Sequence, residues 1–226
     1  MSTGLAFEIK GTMAHFRRPD TTATQVTYPF ITPTAAKGLV GAILGLTDFV
    51  TRDKVGIELL SPVRTVSQQM SMLGGGTTFN RPTTIELVIN PAYRVYYTGE
   101  EYTKQLLDAL RQEKSVYSTY LGVAYALTKP VLLDEYEVMA VNNDIDIIET
   151  RSVVPTALVQ EIRFTDTRYY CRAGGFLYMY KGERTFEKSI DFIYEKDGKT
   201  ISFVPKQEFP WGLEIARFGD DLVCLI

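Results

Sequence analysis

The sequence has little of the chemistry on which most hydrolytic enzymes depend. Its 226 residues include one histidine, two cysteines and one tryptophan. Cys171 and Cys224 are too few and too isolated for a disulfide framework or a zinc site, so no structural metal is expected. We also predict no cofactor. GxSxG and HExxH motifs are also absent, which argues against the common serine and zinc hydrolases.

Charge and hydropathy exclude further classes. No apolar run approaches 18 residues and no signal segment is visible, so we expect a soluble, cytoplasmic protein without membrane contact. A net charge of -3 and a pI near 5.4 argue against a general nucleic-acid binder. The charge is uneven, because residues 1–97 hold 9 Lys and Arg against 6 Asp and Glu, whereas residues 98–226 hold 15 against 21. A polyanion is therefore expected to bind the first half.

The pattern of apolar residues predicts an α+β fold, and the content of 14 tyrosines favours β-sheet. The predicted elements of the first part are strands at 5–11, 57–67, 83–89, 93–97 and 131–141, with helices at 33–44 and 100–112. This order is βαββαβ, the ferredoxin-like arrangement, with a protrusion at 68–82. We predict a core over residues 1–142 and a β-rich C-terminal subdomain over 143–226 that packs on it. Asp197-Gly198 is a predicted hairpin turn in the second part.

The helix at 33–44 has clear end signals. Thr32 or Thr34 suits the N-cap, Pro33 the first turn, and Gly45 the end. Its interior glycines cost helix stability, which predicts close approach of another backbone. Free N–H groups at the helix start, with Lys37, Arg17 and Arg18, would suit a phosphate. The alternative is a tightly packed helix near two solvated arginines.

His15 is the only side chain that could act as an acid or base at neutral pH. With Tyr28 and Lys37 it could form a metal-free ribonuclease site, in which a cation stabilises the pentacoordinate phosphate. The alternative is a histidine that packs or contacts RNA. Asp144 and Asp146 are metal-ligand candidates, although a solvated loop explains them better.

The protrusion combines apolar and polar residues. Met70, Met72 and Leu73, with Phe79 further on, would be an aggregation risk unless they insert into a partner. One such partner is a base stack, with Arg64 and Arg81 holding phosphates. The other is a groove in a protein.

Several segments together resemble a known family. They are Met13-Ala-His-Phe-Arg-Arg18, Thr27-Tyr-Pro-Phe30 with the glycine-rich helix to Gly45, 81–86, 90–96, 120–122 and 153–155. In this order the segments resemble the CRISPR-associated protein five family, nearest to members from subtype I-B systems.

The resemblance implies a non-catalytic subunit of a type I Cascade surveillance complex, with the ferredoxin-like or RRM-like core of the RAMP superfamily. Such subunits cap the 5' handle of the crRNA, contact the terminal backbone subunit and the large subunit, and meet target DNA through the complex. The family's thumb would be about 68–81.

One branch of the family processes precursor crRNA with a tyrosine and a Lys-His pair. No lysine adjoins His15, which implies a separate processing nuclease. The residues that the resemblance assigns to handle binding are His15, Phe16, Arg17, Arg18, Tyr28, Lys37 and Arg64, with Gln68, Gln69, Met70 and Arg81 on the thumb.

Overall fold

A computed structural model describes residues 2–72, 81–141, 145–210 and 212–226. These residues form an α+β protein that is mostly β-sheet. The helices are α1 (Pro33–Leu44) and α2 (Thr103–Arg111), and a short 3-10 turn covers Thr156–Leu158. None of the helices in these ranges is long and apolar enough to cross a membrane.

The strands are numbered in chain order. Those of the first half are β1 (Ser2–Lys10), β2 (Met13–Ala14), β3 (Thr24–Gln25), β4 (Lys54–Leu59), β5 (Thr65–Met72), β6 (Arg81–Ile89), β7 (Ala92–Thr98) and β8 (Val131–Ala140). Those that follow are β9 (Ile148–Thr150), β10 (Val154–Pro155), β11 (Val159–Arg163), β12 (Tyr170–Gly182), β13 (Thr185–Glu195), β14 (Ile201–Pro205), β15 (Glu214–Phe218) and β16 (Asp221–Leu225).

The central sheet contains four antiparallel strands in the order β8-β1-β7-β4, to which β15 and β16 are added beside β8. Alternate residues of each strand face opposite sides of the sheet. On β1, Leu5, Phe7 and Ile9 share one apolar cluster with Val40 of α1 and Leu106 of α2. The two helices therefore cover one face of the sheet.

The other face is covered by the hairpin of β15 and β16. Ala6 and Tyr96 form a second cluster there with Phe218 and Val223, and Tyr96 is only 1% exposed. A Cβ at Gly56 would lie 2.2 Å from Val223 Cγ1, so this close approach requires glycine. The hairpin also brings the last residue back to β4, because the backbones of Ile226 and Val55 exchange two hydrogen bonds.

The remaining strands form three smaller sheets. β5 and β6 make a long antiparallel hairpin, and β2 and β3 pair with β6. The orders of the other two are β10-β13-β12 and β11-β14-β9. Phe30, just before α1, packs against Phe176 and Phe192 of the second half, with ring centroids 5.1 and 5.7 Å apart. Residues from both halves thus share one apolar core.

Helix α1 begins and ends as predicted. The Thr32 hydroxyl accepts a hydrogen bond from the Ala35 N–H, Pro33 occupies the first turn, and Gly45 is the left-handed C-cap. The predicted reason for the interior glycines, close approach of another backbone, was wrong. Gly41 packs against the Phe49 ring rather than a backbone, and a Cβ added at Gly38 would meet no atom of the described residues within 4 Å.

Two predictions about strands need correction. The single strand expected at 57–67 is two strands, β4 and β5, that belong to different sheets. The strand ends after Leu59 because the backbone then bonds to two different partners. The Leu60 N–H donates to Ala92 O, and the Val63 N–H donates to Lys196 O. Asp197-Gly198 connects β13 and β14, which pair with different strands, so it is a turn between sheets and not a hairpin turn.

Candidate nucleic-acid interface

Residues 13–18 and 24–28 form an irregular two-stranded turn beside the β5–β6 hairpin. The Arg18 N–H donates to Val26 O at 2.9 Å, and the Tyr28 N–H donates to Phe16 O at 2.7 Å. The outer sides of both segments pair with β6 through β2 and β3. The basic-aromatic segment is thereby fixed at the base of the hairpin.

Glu86 on β6 holds this turn through both its backbone and its side chain. Its carbonyl oxygen lies 2.7 Å from Nδ1 of His15, so this nitrogen must donate. Its carboxylate accepts the Thr27 N–H at 3.1 Å. The sequence analysis included Glu86 in a family motif but gave it no role. Its contact with Thr27 spans 59 positions of the sequence and its contact with His15 spans 71, and no local pattern predicts such contacts.

The segment at 120–122 supports the turn from the opposite side. The His15 N–H donates to Leu121 O at 3.1 Å. Gly122 has φ +84, and a Cβ there would lie 2.1 Å from the His15 carbonyl oxygen. Only glycine fits both the backbone conformation and the space. Two of the segments that carried the family resemblance therefore meet in the structure.

His15 itself is buried, with 2% of its surface exposed. Burial lowers its pKa, and the nearby positive charge of Arg17 acts in the same direction. This shift favours the neutral ring, against the opposing effect of the hydrogen bond to the Glu86 carbonyl oxygen. Its Nε2 has no hydrogen-bond partner among the residues that the structure describes. Phe16 is also buried, and its ring packs edge-on against Tyr93.

Arg17 and Arg18 differ in their surroundings. The Arg17 side chain is exposed, and no carboxylate in the described ranges forms an ion pair with it. Arg18 pairs with Asp20 at 2.8 Å, and its guanidinium lies 5.8 Å from the centre of the Tyr28 ring. The charge of Arg17 is therefore available to a ligand, whereas that of Arg18 is partly neutralised.

Tyr28 connects the turn to the second half of the chain. Its hydroxyl donates to Gly175 O, and its ring stacks on Phe176 with centroids 4.2 Å apart. Burial raises the pKa of this hydroxyl. Tyr28 is thus a buried structural contact in this conformation, and its partners were not predicted because they lie about 150 residues away.

The β5–β6 hairpin exposes much of its first strand. Gln68 and Gln69 are exposed opposite Ile85 and Thr84, whereas Met70 is half-buried. Arg64 is exposed at the base of the hairpin, where its carbonyl oxygen accepts the Ile89 N–H. The predicted apolar tip, including Leu73 and Phe79, lies outside the described residues, as does the side chain of Arg81.

Lys37 lies apart from the arginines. It lines a cavity of about 970 Å³ between α1, the 46–54 loop and the tip of the β12–β13 hairpin, and neither Arg17 nor Arg18 lines this cavity. Burial lowers the pKa of Lys37 to about 8, against the opposing effect of Asp53. The predicted grouping of Lys37 with the two arginines is therefore not formed around this cavity.

Asp144 and Asp146 were considered as metal ligands, although a solvated loop was the preferred interpretation. Asp144 lies outside the described residues, and within them no three His, Cys, Asp or Glu side chains form a group that could hold a metal ion.

The sequence comparison matches the part of the chain that forms this site. The family model described as CRISPR-associated protein (Cas_Cas5) covers residues 4–73, from β1 to the end of β5. This match confirms the resemblance to the CRISPR-associated protein five family. The matched segment includes the basic-aromatic turn, α1 and the first strand of the hairpin. No curated protein has a significantly similar sequence.

Solved structures share the fold at low sequence identity. A chain of a "CRISPR RNA-guided surveillance complex" aligns with a TM-score of 0.56 and 13% identity, over 89% of this chain and 91% of that one. A CRISPR protein from Archaeoglobus fulgidus aligns with a TM-score of 0.59 and 9% identity, over 98% of both chains. At such identities these similarities show the fold alone.

Proposed function

We propose that the chain is a subunit of a CRISPR effector complex that binds and caps the 5' handle of the crRNA without catalysing a reaction. The observation that carries this proposal is the position of the Met13–Arg18 turn at the base of the β5–β6 hairpin. Arg17 in this turn is exposed and forms no ion pair with the described residues. In this role the chain contacts the terminal backbone subunit and the large subunit in the cytoplasm, and reaches target DNA through the complex.

We propose that the core is ferredoxin-like and RRM-like, and that the β5–β6 hairpin is the family's thumb. The order β8-β1-β7-β4, with α1 after β1 and α2 after β7, supports this assignment. The division into a core at 1–142 and a C-terminal subdomain at 143–226 remains part of the proposal. β15 comes from the later part and pairs with β8 of the core.

The sheet face opposite the helices is covered, so RNA is expected to bind elsewhere on the protein. RRM proteins stack bases on aromatic side chains of the open sheet face. Here Tyr96 on that face is 1% exposed, because Phe218 and Val223 of the β15–β16 hairpin pack against it. An RNA strand is therefore expected along the turn and the hairpin, where Arg17, Arg64 and Gln68 are exposed.

A non-catalytic role agrees with the surroundings of the three ribonuclease candidates. His15 is buried with Nδ1 engaged by Glu86 O, and the Tyr28 hydroxyl donates to Gly175 O. Lys37 lines the separate cavity at α1. General acid-base catalysis needs such groups within hydrogen-bond reach of one reacting phosphate.

Binding of fluorescent handle RNA to the purified chain tests the proposal. Arg17→Ala plus Arg64→Ala should weaken binding. The plot of log K against log salt should also become less steep by about 1.4, or about 0.7 for each lost phosphate contact. Lys104→Ala on α2 is the control, because Lys104 is also exposed and lies outside the site. Equal slopes for all variants would contradict the proposed phosphate contacts.

The same preparation tests the absence of catalysis. Precursor crRNA incubated with the chain in EDTA should remain intact. Cleavage that is lost in the His15→Ala variant, with retained folding by circular dichroism, would establish the alternative of a metal-independent endoribonuclease.

A further inference from the structure

A loop of the second half exposes aromatic side chains to an unusual extent. Phe164 is 75% exposed and Tyr169 is 65% exposed, within the six-residue loop 164–169 between β11 and β12. The Phe164 ring makes edge-to-face contact with Tyr170, with centroids 5.1 Å apart. A packing contact therefore orients Phe164 while most of its surface stays open to a ligand.

Hydrogen bonds join this loop to the turn at 195–199. The buried carboxylate of Glu195 accepts the N–H groups of Tyr169 and Lys199, at 2.8 Å each. The Lys196 N–H donates to Tyr169 O at 2.9 Å. Because these bonds hold the Tyr169 end of the loop before any ligand binds, little conformational freedom is lost there on binding.

The same surface carries unpaired positive charge. Arg168 and Lys196 form no ion pair with the described residues, and the Lys199 ammonium lies 3.8 Å from Asp197. Asp166 in the loop is exposed, and Asp197 is half-buried. Basic side chains beside exposed aromatic rings are the combination that binds single-stranded nucleic acid, since bases stack on the rings while cations meet the phosphates.

This surface is continuous with the base of the β5–β6 hairpin. The Val63 N–H donates to Lys196 O at 2.8 Å, and Arg64 is the next residue along the chain. An RNA strand that contacts Arg64 can therefore pass directly onto Lys196 and the aromatic loop.

We propose that loop 164–169 and Lys196 form a stacking platform that binds single-stranded RNA, independently of base sequence, where the RNA leaves the hairpin base. The platform rests on the proposed crRNA binding and extends it into the second half of the chain. Phe164 and Tyr169 supply the stacking surfaces, and Arg168 and Lys196 supply the phosphate contacts.

Fluorescence anisotropy with two RNAs tests the platform. One is a handle RNA of about 8 nucleotides, and the other carries an oligo-uridine extension to about 20 nucleotides. Phe164→Ala plus Tyr169→Ala should weaken binding of the long RNA at least about tenfold and leave the short RNA unaffected. Tyr117→Ala plus Tyr125→Ala is the matched control, because those rings are 51% and 48% exposed elsewhere.

The cations give an independent measurement. Arg168→Ala plus Lys196→Ala should lower the salt slope for the long RNA by about 1.4, and Arg168→Lys plus Lys196→Arg should restore it. If the wild type binds the short RNA and every platform variant binds the long RNA as the controls do, the platform is wrong and the handle site stands. If the wild type binds neither RNA, the proposed function fails and the platform with it.

Discussion

Gly122→Ala tests whether the support beneath His15 positions the candidate interface. Gly122 has φ +84, and an added methyl group would lie 2.1 Å from the His15 carbonyl oxygen and 2.8 Å from its carbon. The left-handed conformation alone costs about 1–2 kcal/mol for alanine. Relief of the clash requires the backbone at His15 to move, which adds about 1–3 kcal/mol.

Gly212→Ala separates the two contributions. Gly212 also has positive φ, at +69, but nothing in the described residues lies within 4 Å of a Cβ there. The two variants should therefore differ by about 2 kcal/mol in unfolding free energy, which is a gap of about 4–8 °C in Tm for a chain of this length.

Thermal unfolding followed by circular dichroism measures this gap, and anisotropy measures the effect on handle RNA. Gly122→Ala should also weaken RNA binding, because the displaced turn carries Arg17. Equal Tm values for the two variants would show that the contact between Gly122 and His15 imposes no constraint, and would refute the reasoning.

Three further predictions concern single side chains. The pKa of Lys37 is lowered to about 8 from 10.5, so between these pH values the unfolded chain holds a proton that the folded chain has lost. As the pH is raised from 8 to 10.5, the unfolding free energy of the wild type should therefore increase relative to that of Lys37→Met, as measured by urea unfolding. Tyr28→Phe should lower the unfolding free energy by about 1–2 kcal/mol, because the Gly175 carbonyl loses its donor while the stack on Phe176 remains. Gly38→Ala should raise Tm, with a gain of about 1 kcal/mol, since open space surrounds this helical position in the described structure.

Local signals made the elements of the core predictable. The Thr32 cap, Pro33 and Gly45 act within a few residues of the ends of α1, so the sequence alone determines these bounds. The break after β4 depends on hydrogen bonds from Leu60 to Ala92 and from Val63 to Lys196, which no local pattern encodes. The packing of the β15–β16 hairpin on the sheet likewise depends on a distant contact, between Val223 and Gly56.

The site was predictable as a segment but not as a set of exposed groups. The charge of Arg17 and the resemblance both identified the Met13–Arg18 turn. The burial of His15 and Tyr28 results from contacts with Glu86 and Gly175, far away in sequence. Exposure is a property of tertiary packing, so the residue types alone could not separate the exposed Arg17 from the buried ring of His15.

Purification of the tagged chain from its native host, followed by sequencing of the bound RNA and mass spectrometry of the bound proteins, tests the central claim most directly. We expect a stable complex that holds a short RNA with a repeat-derived 5' end and a backbone subunit in several copies. Recovery of the chain without RNA, or with RNA that has no common 5' sequence, would contradict the proposed handle binding.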